Sequence, residues 1–510
     1  MEVFDFYSEW KTIRNWFKNF WVEEIVDQSI QHLHQCWGKT ILEGANERLA
    51  SPWISLLVLK WGSLYGSSKV EARKSFGPNE FSKAYTRILN LPAQLSFLGA
   101  GDSLSFWRFV RASFVGQFHY QNNAWFYGLA VLETILKDIG IDYQTDLQFK
   151  SCVGMELEEF LSLQVLICGG MLAPRKNLFI KAVQFRNFTG VYSAESIDVF
   201  LNFISLDHSE LQTFLEEGHR KIKNPEYEQS LFSPLYQKPF LRVGEKYYPY
   251  HQALLQHHVD YGVYDVLKKS DPGGFSGSFG YGFEKYVEIP LRYSGIKIFR
   301  EDEVKNILHE PSVSDYAMIF GHDALLVEVK SAEMYPLLLQ NPTPEMLKKS
   351  LRTSIIKGYQ QLFRTAYKMK ALSGTPLSFS EEAFGLIVTF KPLFLGPPNL
   401  IWEEFMESCL REALSAEILD SAPLNSSHIF CLSVYELDVL CAHARDKGKS
   451  LVDCLKVAVK NNEDRETASF MFVQHLKDRE SSLDSFPHIK SKFDSVMERL
   501  RESYREDENR

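Results

Sequence analysis

The sequence lacks the features that would place the chain in a membrane, outside the cell or in a nucleotide-driven motor. Its longest apolar stretch, residues 160–172, is too short to span a bilayer and contains Gln164. The N-terminus carries acids instead of the basic residues that begin a secretory signal peptide. No glycine-rich stretch continues into Lys-Ser or Lys-Thr at the P-loop spacing, which argues against ATP-driven movement.

The seven cysteines lack the spacing of disulfide-rich or zinc-binding proteins. They are scattered between Cys36 and Cys454, and none lies in a C-x-x-C motif. This distribution is typical of reduced thiols, so we expect a cytoplasmic protein without a membrane partner. Basic residues are not in excess either, because 56 Lys and Arg against 65 Asp and Glu give a net charge of −9. Nucleic-acid binding would therefore depend on a local basic patch.

The composition predicts a large folded core divided into several regions. The 510 residues are 45% hydrophobic and 14% aromatic, which favours two or three globular domains. Apolar residues recur at helical spacing through residues 1–229, and residues 230–270 predict a connecting hairpin and helix. Residues 271–282 contain five glycines and predict a flexible linker. A mixed domain at 283–445 and C-terminal helices with a charged tail at 446–510 follow.

The mixed domain is predicted from alternating apolar runs and helical periodicity. A helix at about 282–294 precedes three strands, and a long helix at 344–372 separates them from a fourth strand. Another helix and a fifth strand complete the order αβββαβαβ. The predicted strands are residues 296–300, 315–320, 324–329, 384–390 and 428–434.

The strongest chemical signal lies between Ser314 and Lys330. Glu328 and Lys330 are two positions apart in an apolar run that predicts a strand buried on both faces, so their side chains share one face. Such a pair would be costly to bury without a purpose, although a plain same-face ion pair is the simpler interpretation. With Asp315 on the preceding strand, two carboxylates can bind a divalent cation and the lysine can orient a water.

Two of the acidic positions have competitors. Asp323 also lies near Glu328, but it falls in a predicted hairpin turn, so Asp315 is favoured. Glu284, early in its helix, can serve as a further metal ligand or as an exposed acid stabilised by the helix dipole, with Glu288 as its fallback.

These residues resemble the motifs of the PD-(D/E)xK, or restriction-endonuclease-like, nuclease superfamily. Glu284 lies in a G-x-x-F-E-x-Y pattern similar to the acidic first helix of the family. Asp315 stands where the family often has Pro-Asp, and here Ser314 replaces the proline. The triplet Glu328-Val329-Lys330 matches the acid-x-lysine motif.

The later helix resembles the glutamine motif of several branches of this superfamily. Gln361 is favoured over Gln360 because its neighbour Leu362 lies in the apolar stripe, although the sequence leaves the choice open. Thr365 stands where the RecB-like branch has tyrosine, so the resemblance identifies the superfamily and no branch.

The resemblance implies an αβββαβ core with a mixed sheet and a Mg²⁺-dependent, or Mn²⁺-dependent, phosphodiesterase that favours DNA. Asp315, Glu328, Glu284 and the backbone carbonyl of Val329 would bind the metal. Lys330 would position the attacking water. The implied catalytic residues are Asp315, Glu328, Lys330, Glu284 and Gln361.

The helix around Gln361 carries seven Lys or Arg and one acid between Glu345 and Lys370. Such a face can contact phosphates, although a solvated helix face gives the same pattern. The predicted nucleic-acid contacts are Lys348, Lys349, Arg352, Lys357 and Arg364.

The helical region before the glycine-rich stretch has no catalytic motif, so we expect it to recognise a substrate feature or a protein partner. That architecture suits a bacterial restriction or phage-defence endonuclease, or a repair nuclease. Assembly into a homo-oligomer is compatible with the sequence. It also predicts that a 275–510 fragment cuts with less discrimination than the full chain. The alternatives are an RNA-cleaving nuclease and a non-catalytic nucleic-acid-binding or scaffold protein that retains the nuclease fold.

Overall fold

The computed structural model describes most of the chain between residues 6 and 508. The described residues are 6–38, 51–91, 103–120, 126–172, 178–186, 192–220, 225, 228, 231–334, 338, 343–464, 466–476 and 485–508. They form a mixed α and β protein, as predicted, with two sheets. Within these ranges no helix has the length and apolar character needed to cross a bilayer.

The first half of the chain is mostly helical, in agreement with the spacing of its apolar residues. Its α-helices are α1 (Phe6–Phe17), α2 (Val22–Gln35), α3 (Pro52–Tyr65), α4 (Pro78–Leu89), α5 (Ser103–Gln117), α6 (Tyr127–Glu133), α7 (Thr145–Val153), α8 (Leu157–Leu172), α9 (Ala182–Arg186), α10 (Ala194–Ile204) and α11 (His208–Arg220). A π-helical segment, Thr134–Gly140, extends α6.

A small four-stranded sheet follows these helices. The predicted hairpin is present as β3 (Phe240–Val243) and β4 (Lys246–Pro249), which pair antiparallel. Two short strands that the sequence analysis did not predict, β1 (Ile180–Lys181) and β2 (Ser205–Leu206), complete the order β1-β4-β3-β2. The predicted boundary between residues 229 and 230 lies outside the described residues.

The prediction of a flexible linker at residues 271–282 is wrong, because a helix runs through this segment. After α12 (Gln252–Ser270), the helix α13 spans Pro272–Arg292. Phe275 and Phe279 lie one helical turn apart and are fully buried. Burial of these two rings outweighs the cost of about 0.5–1 kcal/mol that each interior glycine imposes on a helix.

The second sheet has five strands in the order β5-β6-β7-β8-β9. Pairing is antiparallel from β5 to β7 and parallel from β7 to β9, which makes the sheet mixed as predicted. Its strands are β5 (Ile298–Arg300), β6 (Tyr316–Phe320), β7 (Asp323–Lys330), β8 (Ala383–Thr389) and β9 (Leu424–Ser433). All five predicted strands of this region are therefore present.

The helices of the second half are α14 (Glu301–Leu308), α15 (Pro344–Leu351), α16 (Lys357–Lys370), α17 (Pro398–Ile401), α18 (Glu407–Ala413), α19 (Ala416–Ser421), α20 (Val434–Asp446), α21 (Leu451–Glu463) and α22 (Pro487–Glu508). The long helix predicted at 344–372 is confirmed as α15 and α16, joined by a π-helical turn. Helix α14 was not predicted from the sequence.

The five-stranded sheet is covered by helices on both faces. One face packs against α13 through residues such as Val327 and Phe283, and the other packs against α16 through residues such as Leu326 and Leu362. The larger of the two cores also includes helices from the first half of the chain. The regions before and after residue 283 therefore share buried apolar surface.

Candidate active site

The two strands that carry the predicted acids bring them together at one end of the sheet. Strands β6 and β7 pair antiparallel with Tyr316 opposite Val327. Asp315, directly before β6, therefore lies beside the last residues of β7. Its Oδ2 accepts a hydrogen bond from the Val329 backbone N–H at 2.7 Å, which joins the predicted acid to the predicted triplet.

This hydrogen bond also fixes the direction of the Val329 peptide group. In a strand, the N–H and C=O of one residue point to the same edge. The Val329 carbonyl therefore points to the edge on which Asp315 lies, while its side chain is buried in the core on the α13 face. This is the position in which a backbone oxygen can join the Asp315 carboxylate in binding a cation.

Glu328 and Lys330 lie on the opposite face of β7, which α16 covers. The Glu328 side chain is fully buried, and Lys330 Nζ donates a hydrogen bond to its Oε1. Lys330 Nζ also donates to Gln361 Oε1 at 3.3 Å. Glu328 Oε2 is buried and has no hydrogen-bond partner among the described residues. One carboxyl oxygen of Glu328 thus accepts a hydrogen bond from the lysine, and the other has no hydrogen bond within the described part of the chain.

Helix α16 holds the segment that leads to Asp315. Gln361 Nε2 donates to the Val313 carbonyl at 3.0 Å, and Thr365 Oγ1 accepts from the Ser314 N–H at 2.9 Å. Of the two glutamines left open by the sequence, Gln361 is therefore the one that contacts both Lys330 and this segment.

Two members of α16 that support the site were missed as functional residues. In the sequence, Thr365 was notable only because it stands where the RecB-like branch has tyrosine. Gly358 lets the helix approach β7, since a Cβ at this position would lie 3.3 Å from Glu328 Cγ and 3.2 Å from Ile387 Cδ1. Both residues owe their roles to tertiary contacts, which no local sequence pattern predicts.

The acids at this site share a shift of pKa in one direction. Burial, followed by the charge of Asp315, raises the pKa of Glu328 to about 8. Burial likewise raises the pKa of Asp315, although the Lys330 ammonium opposes this shift. Carboxyls that are buried close together resist ionisation unless positive charge is supplied, and clusters of this kind are frequent at functional sites.

Glu284 approaches Asp315 from α13. Tyr316 Oη donates to the Glu284 backbone carbonyl at 2.8 Å, which attaches this turn of the helix to the start of β6. Burial and the charge of Asp315 raise the pKa of the half-buried Glu284 side chain to about 7. The fallback residue, Glu288, instead binds Arg292 and Arg300 at 2.7 and 2.8 Å.

Asp323, the competitor of Asp315, lies at the opposite end of β7. It is the first residue of that strand, about 23 Å from Lys330 at the usual rise per residue. Its Oδ1 accepts from the Glu382 N–H and its Oδ2 pairs with Lys456 at 2.7 Å. Asp323 therefore stabilises the hairpin end of the sheet and does not reach the other acids.

The five predicted nucleic-acid contacts lie along α15, the π-helical turn and α16. Lys349, Arg352 and Lys357 are exposed, whereas Lys348 and Arg364 are half-buried. No ion pair with another described residue neutralises any of the five. We call these five cations the positive face. Lys357 directly precedes Gly358, so the positive face includes the turn of α16 that covers Glu328.

The donor atoms of the site fit a hard divalent cation. The ligand set would consist of Asp315, Glu328 and the Val329 carbonyl, all of them oxygen donors. Among the described residues, no three His, Cys, Asp or Glu side chains are grouped to hold a metal ion. The predicted third carboxylate, Glu284, is therefore not grouped with Asp315 and Glu328, and the set contains two side chains. The unsatisfied Glu328 oxygen is the atom that a cation would bind.

No protein-family model, curated protein or solved structure matches the chain.

Proposed function

We propose that the chain is a metal-dependent nuclease with a restriction-endonuclease-like core between about residues 280 and 445. The observation that supports this function best is the meeting of Asp315, Glu328 and Lys330 at the ends of two paired strands. All three side chains are mostly or fully buried, and one carboxylate oxygen is unsatisfied. Residues with only a structural role rarely combine these properties.

In this proposal Asp315, Glu328 and the Val329 carbonyl hold Mg²⁺ or Mn²⁺, and Glu284 contributes through a bound water. The bound ion supplies Lewis-acid activation of the phosphate and a more acidic water. Lys330 places its ammonium beside the reacting phosphate, and Gln361 Oε1 holds that ammonium in position. Glu328 Oε1 accepts a second hydrogen bond from the same ammonium.

The positive face beside the site favours a polyanionic substrate. Lys357 and the cations that precede it have no acidic partner among the described residues, so their charge is free to neutralise phosphates. DNA is the substrate we propose, and RNA is the alternative within the same chemistry. Cleavage of matched DNA and RNA oligonucleotides decides between them.

A non-catalytic protein that retains the nuclease fold is the second candidate. The contact between Lys330 and Glu328 favours it, because the lysine already occupies one oxygen of the acid without a metal. Titration of the full chain with Mg²⁺ and Mn²⁺ by calorimetry separates the two functions. The nuclease requires binding that Asp315→Asn abolishes and Asp323→Asn preserves, while no binding by the wild type would support the second candidate.

The helical region before α13 is proposed to control this nuclease by recognising a substrate feature or a protein partner. Its buried surface is continuous with the core under the five-stranded sheet, which gives it a direct mechanical connection to the site. A role in restriction, phage defence or repair extends the proposal. Comparing cleavage of methylated, unmodified and branched DNA tests which feature is recognised.

A further inference from the structure

The solvent-facing side of α13 carries an aromatic ring that the fold does not bury. Tyr281 is 56% exposed, although it lies in a helix whose other aromatic residues, such as Phe279 and Phe283, are fully buried. The Lys285 ammonium lies 4.1 Å from the centre of its ring, a cation–π contact one helical turn away. The ring and the ammonium thus form a small platform that faces solvent.

This platform lies beside the candidate active site. Tyr281 precedes Glu284 by three residues, so both project from neighbouring positions on one side of the helix. A Cβ on Gly280 would lie 3.5 Å from Ser331 Oγ, and Ser331 directly follows Lys330. This turn of α13 therefore rests against the end of β7 that carries the lysine.

Exposed arginines continue this side of α13 beyond Glu284. Glu288 binds both Arg292 and Arg300, whose side chains are 64% and 59% exposed. The acidic first turn of α14, with Glu301, Asp302 and Glu303, directly follows Arg300, so the charge here is mixed. The exposed side of α13 thus presents an aromatic ring, a lysine and a pair of arginines in succession.

From this placement we infer that Tyr281 stacks against an unpaired base next to the scissile phosphate, and that the substrate is single-stranded or unpaired at the point of cleavage. The inference rests on the proposed nuclease function. Aromatic rings stack on any base, whereas a paired base is available for stacking only after the duplex has been opened. Lys285 and the pair of arginines, Arg292 and Arg300, then track the adjoining backbone phosphates.

Binding of labelled oligonucleotides to the full chain tests this inference, with Ca²⁺ in place of Mg²⁺ to limit cleavage. Tyr281→Ala is expected to weaken single-strand binding about 5- to 150-fold, the range found for loss of one stacked base. Blunt-duplex binding should change less than about twofold. Tyr281→Phe keeps an aromatic ring and should bind the single strand with wild-type affinity. Phe106→Ala is the matched control, because Phe106 is also 56% exposed, and it should leave single-strand binding unchanged.

The fluorescence of 2-aminopurine placed at the cleavage position reports stacking directly. Wild type and Tyr281→Phe should quench it, and Tyr281→Ala should not. If the wild type cleaves nucleic acid but Tyr281→Ala neither weakens single-strand binding nor relieves the quenching, the inference is wrong and the nuclease stands. If the wild type binds and cleaves no nucleic acid, both proposals are wrong.

Discussion

Glu328 is the residue at which burial and chemistry conflict most clearly. Its side chain is fully buried, one oxygen has no partner, and burial raises its pKa to about 8. The folded chain at neutral pH therefore retains a proton that the unfolded chain, with an ordinary glutamate pKa, has released. A fold normally avoids this arrangement, and its presence beside Lys330 is what the proposed metal site explains.

The raised pKa makes stability depend on pH in a direction opposite to that of a salt-bridged acid. Because the folded state binds the extra proton, the contribution of Glu328 is complete below pH about 4.5 and is lost as pH rises towards about 8. In EDTA, the wild-type free energy of unfolding should fall across this range by about 4–5 kcal/mol more than that of Glu328→Gln, at about 1.4 kcal/mol for each pKa unit. Urea denaturation at several pH values measures the difference.

Asp315 and Glu284, whose pKa values are also raised, contribute to the pH slope of both proteins, so the difference between the two slopes reports Glu328 together with its coupling to Asp315. Identical pH slopes for wild type and Glu328→Gln would show that Glu328 is ionised in the folded, metal-free chain. The account of its burial would then be incorrect.

Thr365 offers a test of how α16 positions Asp315. Thr365→Val removes the hydroxyl that accepts from the buried Ser314 N–H and should lower the free energy of unfolding by about 1–3 kcal/mol. It should also lower the rate of metal-dependent cleavage, because the segment leading to Asp315 loses a support. Thr365→Ser, which keeps the hydroxyl, should restore the rate; failure to restore it would limit the role of Thr365 to packing.

Sequence alone could predict Asp315, Glu328 and Lys330, because strand alternation determines which side chains share a face. It could not predict Thr365 or Gly358, whose roles depend on how α16 packs across β7. Tyr281 was also missed, since its sequence neighbours are glycines and aromatic core residues. Only the structure of α13 shows that Tyr281, unlike the aromatic core residues of this helix, faces solvent beside Glu284.

At the level of elements, α13 shows why composition misled the prediction. Five glycines suggested a linker, but Phe275, Phe279 and Phe283 recur every four residues and are the buried stripe of a helix. Periodicity should have outweighed composition here. The missed α14 is different, because its eight residues bury only Val304 and Leu308 and give little periodic signal.

The same helix supplies a matched pair of substitutions. Gly277 has no atom within 4 Å of its Cβ position and an ordinary helical backbone, so Gly277→Ala should raise the free energy of unfolding by about 0.5–1 kcal/mol. A Cβ on Gly282 would lie 2.5 Å from Ile141 Cγ2, so Gly282→Ala should lower it by about 1–3 kcal/mol. Chemical denaturation of both variants measures the two effects. A flexible segment would show neither.

At the level of the whole molecule, the shared core changes what a fragment can be expected to do. Phe279 of α13 packs against Tyr264 of α12 and Phe390 beyond β8, with ring centres 4.7 and 4.8 Å apart. A 275–510 fragment would begin within α13 and lose α12 together with its buried surface. The domain boundaries drawn from composition did not anticipate this continuity, because long-range packing leaves no local sequence pattern.

We expect the 275–510 fragment to lack a cooperative unfolding transition, since removing α12 exposes apolar surface of the larger core. Urea denaturation followed by circular dichroism, with the full chain as control, tests this. A cooperative transition would instead identify an independent domain. The predicted loss of cleavage selectivity could then be measured on that fragment.

The most direct test of the proposed function is Mg²⁺-dependent cleavage of plasmid and single-stranded DNA by the full chain. We expect cleavage by wild type and by Asp323→Asn, whose substituted residue lies at the far end of β7. Asp315→Ala and Lys330→Ala should lower the rate by about 10²-fold or more, because each removes a group that stabilises charge at the reacting phosphate. Cleavage by Lys330→Ala at the wild-type rate would contradict the catalytic role of Lys330, and no cleavage by wild type would contradict the proposed nuclease function.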